Sequence, residues 1–237
     1  VTAFKKNCKW SLENIILKME DNAFAIEGYQ SDISHDGRQY LRHSNRGDCN
    51  METAMQLGLY GDYLKDPEIL KTAKNLASNI YTHPWFANPD PESSMYGLTN
   101  WYEKGRAFYG DDNARVLLSS IILRNNLDFK DLDEYILKCV FGNLRTTGTL
   151  GFRRMRLDDG RFANTTWKDY YKEDFIHLSP HYQCYLWAAY LWIYKLTGVE
   201  ELLTKSVNAI EMTMAAFPDE LIWTNSLTAE IARMILP

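Results

Sequence analysis

Apolar positions along the chain recur with a helical period almost throughout, and the helices they predict come in pairs. Residues 47–64 (GDCNMETAMQLGLYGDYL) read as one helix. Lys65, Asp66 and Pro67 break it and open the next, with proline in the first turn, where its missing N–H costs nothing. That second helix carries Ile69, Ala73, Leu76, Ala77 and Ile80 at i, i+4, i+7, i+8 and i+11, a single apolar stripe. The arrangement repeats at 112–125 and 130–145, where Leu132, Ile136, Cys139 and Val140 share a face. It repeats again at 180–197 (PHYQCYLWAAYLWIYKLT) and, after Gly198, at 199–216, with Leu203, Val207, Ile210 and Met214 in register. Residues 226–236 resemble the first member of a fourth pair, and 8–19 the second member of an earlier one.

The two members of a pair differ in kind. First members such as CYLWAAYLWIY are apolar nearly all round, which predicts burial on every side. Second members are amphipathic, with Lys71, Lys74, Lys138 and Lys205 marking a wet face. Inner helices alternating with outer ones, at a repeat of about 65 residues, predict an all-α protein built as an α/α solenoid or toroid. The long connections at 20–46, 83–110, 148–178 and 217–225 all precede first members, so they gather on one side and predict the working face. Within 148–178, GFRRMRL and RFANTTW flank Asp158-Asp159-Gly160, which predicts a small β-hairpin in that loop. A second Asp-Gly turn signal stands at Asp36-Gly37.

Composition narrows the class. Of 237 residues 46% are hydrophobic and 14% aromatic, enough for a large core and too many for a disordered chain. A net charge of −5 gives no general attraction to nucleic acid or anionic lipid. The densest apolar run, Cys184 to Tyr194, falls short of the roughly 20 residues that span a bilayer. Cys8, Cys49, Cys139 and Cys184 form no CxxC pattern, which argues against zinc-finger and thioredoxin chemistry. The chain opens on VTAFKKN, without Met or a leader-like apolar stretch, and reads as a mature or excised piece of something longer.

Chemically versatile residues cluster where the long loops enter the first members. The junctions hold Arg42, His43, Asn45, Arg46, Asp48, Cys49, Asn50 and Glu52; then Trp101, Tyr102, Glu103, Arg106, Tyr109, Asp111, Asp112, Asn113 and Arg115. The third offers Glu173, Asp174, His177, Ser179, His181, Tyr182 and Gln183, and the fourth Trp223, Asn225, Ser226 and Glu230. Parallel inner helices would bring all four to one mouth. Carboxylates, aromatic platforms and amide or imidazole donors in one concavity suit a polyhydroxylated ligand.

With NRGDCNMETAM, GLTNW and YGDDNARVLL at these junctions, the chain resembles the six-hairpin glycosidase superfamily, the (α/α)6 toroids. The resemblance in architecture covers nearly the whole chain and implies a carbohydrate-active enzyme: hydrolases, lyases and sugar isomerases share that scaffold. Six hairpins at this repeat would need about 390 residues, so residues 1–237 are expected to be one toroid domain with an incomplete or open ring. A glycoside hydrolase needs a protonated acid and a second carboxylate. Asp112 is the first candidate, with Glu52 or Asp48 as partner, and the resemblance favours an inverting outcome. Asp48 and Glu52, like charges at i, i+4, would raise the pKa of one member if crowded in a cleft; the competing plain reading is a solvated first turn. Asp111, four residues before Arg115, has as its plain reading a helix-terminal charge that caps the inner helix.

Arg46, Trp101, Tyr102, Asp111, Arg115, His181, Trp223 and Asn225 are the candidate substrate-binding residues. A polysaccharide lyase is the alternative, using His181, Tyr182, Asn225 and Arg46 for proton transfer and charge neutralisation. A non-catalytic glycan-binding or scaffold domain is the other alternative. The spacing of His177, His181 and Cys184 hints at a metal, but Pro180 starts the helix and leaves His177 outside it, so no metal and no cofactor are expected. Arg153, Arg154, Arg156 and Arg161 lie close together, with Arg154 and Arg156 on one strand face and Arg153 on the other with Met155 and Leu157. They predict either a basic edge for an acidic sugar or ion pairs with Asp158, Asp159 and Asp169. A polysaccharide-degrading role would place the protein in the periplasm or outside the cell.

Overall fold

Two residues set the first hairpin. The Asp66 carboxylate accepts from the backbone N–H groups of Glu68 (3.0 Å) and Ile69 (3.2 Å), and Pro67 fills the first helical position. In the computed structural model, which describes residues 2–19, 22–30 and 32–237, this joint separates α2 (Gly47–Leu64) from α3 (Pro67–Thr82). Before them come α1 (Thr2–Asn14) and strands β1 (Ile16–Met19), β2 (Asn22–Tyr29) and β3 (Leu41–Asn45). After them follow β4 (Ala107–Tyr109), α4 (Gly110–Leu127), α5 (Asp133–Arg145), β5 (Arg156–Asp158), α6 (Asp159–Phe162) and α7 (Trp167–Tyr171). The chain ends through α8 (Pro180–Thr197), α9 (Glu200–Ala215) and α10 (Leu227–Arg233).

The protein is mostly α, with small antiparallel β elements. First members pack in chain order, α2 on α4, α4 on α8 and α8 on α10, and each of α3, α5 and α9 backs its own partner. That is the inner and outer layering expected from the two kinds of helix. One apolar core lies among α2, α3 and β2, with Met51, Leu57, Leu76, Ile80 and Phe24 fully enclosed. A second lies among α4, α5 and α8, around Leu117, Cys139, Leu186 and Tyr190. The remaining faces of α2, α4 and α8 are half-buried. They line a cavity of about 550 Å³ with Met55, Leu118, Ile122, Tyr185, Leu191 and Trp192, so burial of the first members is not complete on every side.

Several sequence expectations need correction. The helix expected at 8–19 is α1 plus β1. Residues 20–46, read as a long connection with an Asp-Gly turn, contain β2 and β3. There the β-hairpin signal at Asp36-Gly37 is met: Gly37 has φ +79°, and β2 pairs antiparallel with β3 on either side of the turn. The hairpin expected at Asp158-Asp159-Gly160 does not form. Residues 156–158 pair instead with β4, and Asp158 caps α6 through Arg161 N (3.1 Å). A strand already bonded to β4 has no need of its own return strand.

The third outer helix turns a different face inward. Leu203, Val207, Ile210 and Met214 are not its core stripe; Leu202, Lys205, Ser206, Ala209 and Thr213 are buried, and Met214 is exposed. Lys205 is therefore not on a wet face. Its ammonium donates to the carbonyls of Thr147 (3.1 Å) and Gly148 (2.7 Å). The cause is backbone approach. Gly151, at φ +86°, comes so near that a Cβ there would lie 1.8 Å from the Lys205 carbonyl oxygen, and only small or tethered side chains fit that seam.

Candidate active site

The loop-to-helix junctions are fastened to one another by backbone contacts. β3 ends at Asn45, so Arg46 precedes α2 directly and bridges to Tyr102. Gly47 N donates to Trp101 O (3.1 Å); a Cβ at Gly47 would lie 2.7 Å from Asn100 O, so the close approach requires glycine. Asn113 on α4 holds the same loop, its Oδ1 accepting from Thr99 N (2.8 Å) and its Nδ2 donating to Thr99 O (3.0 Å). This contact explains why the GLTNW and GDDNAR segments act as one unit. β4 runs straight into α4 and delivers Asp111 and Asp112 to its first turn. At the third junction Glu230, from α10, accepts from His181 N (2.6 Å) and from Thr224 N (3.0 Å), tying the start of α8 to the 224–225 segment.

These constraints bring three helix starts into one charged cluster. Asp48 is 0% exposed and lies 2.9 Å from Arg46 Nη2 and 2.8 Å from Arg115 Nη1. Arg46 also reaches Asp112 (3.1 Å), and Arg115 grips Glu52 with Nε (2.8 Å) and Nη2 (2.6 Å). Burial above all, then the charges of Asp48 and Asp111, pushes the Asp112 carboxyl up to about 9, against the pull of Arg46; it also shares a hydrogen bond with Asp48. Burial raises Asp111 too, opposed by His181 and Arg115. The crowded carboxyl pair is thus Asp48 with Asp112 across two helices, rather than Asp48 with Glu52 along one. Arg115 stands between those two and answers both charges.

Other candidates join the cluster at its rim. Asp111 faces His181 Nε2 at 3.6 Å instead of pairing with Arg115 within its own helix. Burial lowers the His181 pKa, and its Nδ1 lies 3.5 Å from Asn225 Nδ2. Trp101 packs edge-on to Tyr109 (5.3 Å) and beside Tyr102 (5.5 Å), with the Arg46 guanidinium 5.5 Å above its ring. Trp223 is 58% exposed and stands outside this aromatic group.

The basic edge resolves largely into ion pairs. Arg154 pairs with Glu173 and lies over Phe175, and Arg156 pairs with Asp158 at 3.2 Å. Arg153 is fully buried rather than on a strand face. His177 lies before α8 and bonds Gln183 (3.2 Å), while Cys184 is buried against Met234 (3.2 Å). Among the described residues no three His, Cys, Asp or Glu side chains are placed to hold a metal ion. Two residues of the site lay outside the sequence-predicted set: Glu230, seen there only as a junction carboxylate, and Arg233, which donates to His181 O (3.1 Å). Their contacts to the start of α8 have no local signal, because each reaches a backbone group of His181 49 or 52 residues away.

The fold is similar to a solved structure titled a novel alpha-amylase from Clostridium perfringens, with a TM-score of 0.51. Sequence identity is 14%, over 85% of this chain and 51% of that one. This chain therefore spans about half the length of that structure, and the likeness concerns the fold. No family model matches the chain, and no curated protein matches its sequence.

Proposed function

We propose that this protein is a glycoside hydrolase acting on an oligo- or polysaccharide, with Asp112 as its general acid. The observation that carries the reading is a buried Asp112 carboxyl, crowded by Asp48 and pushed up to about 9, where the starts of α2, α4 and α8 meet. Glycosidic cleavage needs such an acid at the leaving oxygen and a second carboxylate across the bond. Asp48 is too close for that second part, since it shares a hydrogen bond with Asp112, whereas hydrolases hold the two carboxyls about 5–9 Å apart. Its part is to keep the proton on Asp112. Glu52, one turn along α2 and opening on the cavity that α2, α4 and α8 line, is the partner carboxylate. The toroid resemblance favours inversion, with Glu52 steering a water. Arg46, Arg115, Trp101 and Tyr102 would hold the sugar, and Asn225 and His181 would close the far rim.

We also read the helical layers as part of an (α/α)6 ring and residues 1–237 as one domain. A polysaccharide-degrading role would place the protein in the periplasm or outside the cell. One observation favours the lyase reading: a neutral His181 beside Asp111 and Asn225 is a fit base for abstracting a proton. Polysaccharides and aryl glycosides, assayed for new reducing ends and for near-ultraviolet absorbance, separate the readings. Hydrolysis gives reducing ends alone, and elimination gives an unsaturated product as well. Binding with neither marks a glycan-binding module. Asp112→Asn should lower kcat by about 10²–10⁴ with the helical circular dichroism unchanged. Full residual activity would remove Asp112 from the mechanism.

A further inference from the structure

His181 is gripped from both sides by one short helix. Its backbone N–H donates to Glu230 Oε2 (2.6 Å), and its carbonyl accepts from Arg233 Nη1 (3.1 Å). Both side chains come from α10, whose start Ser226 caps by accepting from Ala229 N (3.2 Å). Glu230 is 0% exposed, and its other oxygen accepts from Thr224 N (3.0 Å). Ile222 N donates to Leu178 O (2.8 Å), so the stretch leading into α8 is tied to the stretch leading into α10 at several points. The ring held in this way has Nε2 3.6 Å from Asp111 and Nδ1 3.5 Å from Asn225 Nδ2. It packs edge-on to Tyr182 (4.7 Å).

Helix capping alone does not require this arrangement. Pro180 has no N–H, so that of His181 is the first donor α8 leaves open. Ser179 stands at the cap position with extended backbone, where a serine hydroxyl ordinarily accepts from the second or third N–H of the helix. Ser179 is 0% exposed, yet its hydroxyl has no hydrogen-bond partner among the described residues. A carboxylate 49 residues away takes its place. At α3, α6 and α10 the local residue does cap, through Asp66, Asp158 and Ser226. The Arg233 contact caps nothing, because the His181 carbonyl already lies inside the helix and accepts from the N–H four residues on. A bond to a carbonyl already taken fixes position. Local rules set aside in this way are expected at functional sites.

We propose that Glu230 and Arg233 are positioning residues that hold the His181 ring against Asp111 at the rim of the cleft. The inference rests on the reading of that mouth as the sugar-binding cleft. Asp111 comes from α4 and His181 from α8, so their contact is only as fixed as the start of α8. Without the grip of α10 the ring is free to turn into the mouth, where its side chain is already 16% exposed.

The test is the rate at which diethyl pyrocarbonate modifies each histidine of the full chain at about pH 8, read site by site by mass spectrometry. His83, His177 and His181 all titrate below 6.5, so each is neutral there and a change in rate reports access rather than charge. Arg233→Met removes the contact that caps nothing. It should speed modification of His181 by about threefold to tenfold, the loss of one hydrogen bond from the closed state, with Tm and the rate at His177 unchanged. Arg233→Lys, which keeps a donor, should stay near the wild-type rate. Glu230→Gln should also speed His181, and if that variant fails to fold Arg233→Met still decides. An unchanged His181 rate in Arg233→Met, or a rise shared equally by His177 just before α8, would overturn the proposal. So would a lysine variant as fast as the methionine one. No sugar enters this assay, so its outcome is independent of the glycosidase reading, which the reducing-end assay tests by itself.

Discussion

At the scale of single residues the site depends on guanidinium groups shared between carboxyls. Arg115 touches Asp48 and Glu52 from one fork, and the two contacts differ in kind. Asp48 is enclosed, so losing a partner strands charge in low dielectric. Glu52 has a side chain 36% exposed, and water replaces most of what Arg115 supplies. Arg115→Met should therefore destabilise by about 2 kcal/mol, less than a full stranded charge because Arg46 remains on Asp48. Glu52→Gln should cost no more than about 1 kcal/mol. Urea unfolding of the two variants measures both, and equal losses would mean that Asp48 does not depend on Arg115. Asp112 and Asp48 were legible as candidates because two acids follow one another at a helix start and a third opens the preceding inner helix. Their contact was not legible, since it joins α2 to α4 through the rotation of both helices.

Secondary-structure elements follow the apolar period wherever the packing surface is another helix. The stripe on α3 is buried as the spacing predicts, because α2 presents a continuous apolar face to it. On α9 the partner is partly a loop, and the criterion for burial becomes closeness rather than hydrophobicity. Serine, alanine and threonine admit the 147–151 backbone, and Lys205 satisfies two of its carbonyls. Two substitutions separate the alternative faces. Gly151→Ala, meeting the Lys205 carbonyl at a left-handed φ, should cost at least about 2 kcal/mol in thermal or urea unfolding. Met214→Gln, on the stripe that the period would turn inward, should stay within about 0.5 kcal/mol. The reverse order would restore the sequence-read face.

For the whole molecule the buried acids and histidines make stability depend on pH with opposite signs. Asp111 and Asp112 titrate above the ordinary carboxylate value of 3.8, so above that pH the folded state keeps protons the unfolded chain has lost. Their contribution is complete below 3.8 and is lost as pH rises through the folded values. His83, His177 and His181 titrate below 6.5, so their contribution is present above 6.5 and fades as pH falls. Of these acids and histidines only the acids still titrate above 6.5, and Tm should fall from about pH 7 to pH 8, below the range where the buried thiols add their own loss. Asp112→Asn should flatten that decline and be the more stable protein at the alkaline end. A wild-type Tm that holds level over this range would contradict the raised acids.

The sequence by itself determined the paired helices, their order and their ends. Period, proline and capping residues act within a few positions, and α2, α3 and α8 begin and stop where those signals stand. It also determined that acids, arginines and aromatics gather at helix starts. Tertiary structure alone decided which of them meet. Asp48 joins Asp112, Asp111 joins His181, and Glu230 holds the start of α8 through contacts that no local spacing encodes. It decided the β elements of the first loop as well, where Asn50 pairs with the backbone of Ala25 and Asn79 with that of Ala23. The physical reason is common to all of these. A buried polar group takes whichever partner the packing of distant segments brings within about 3 Å, and that distance is a property of the assembled layers.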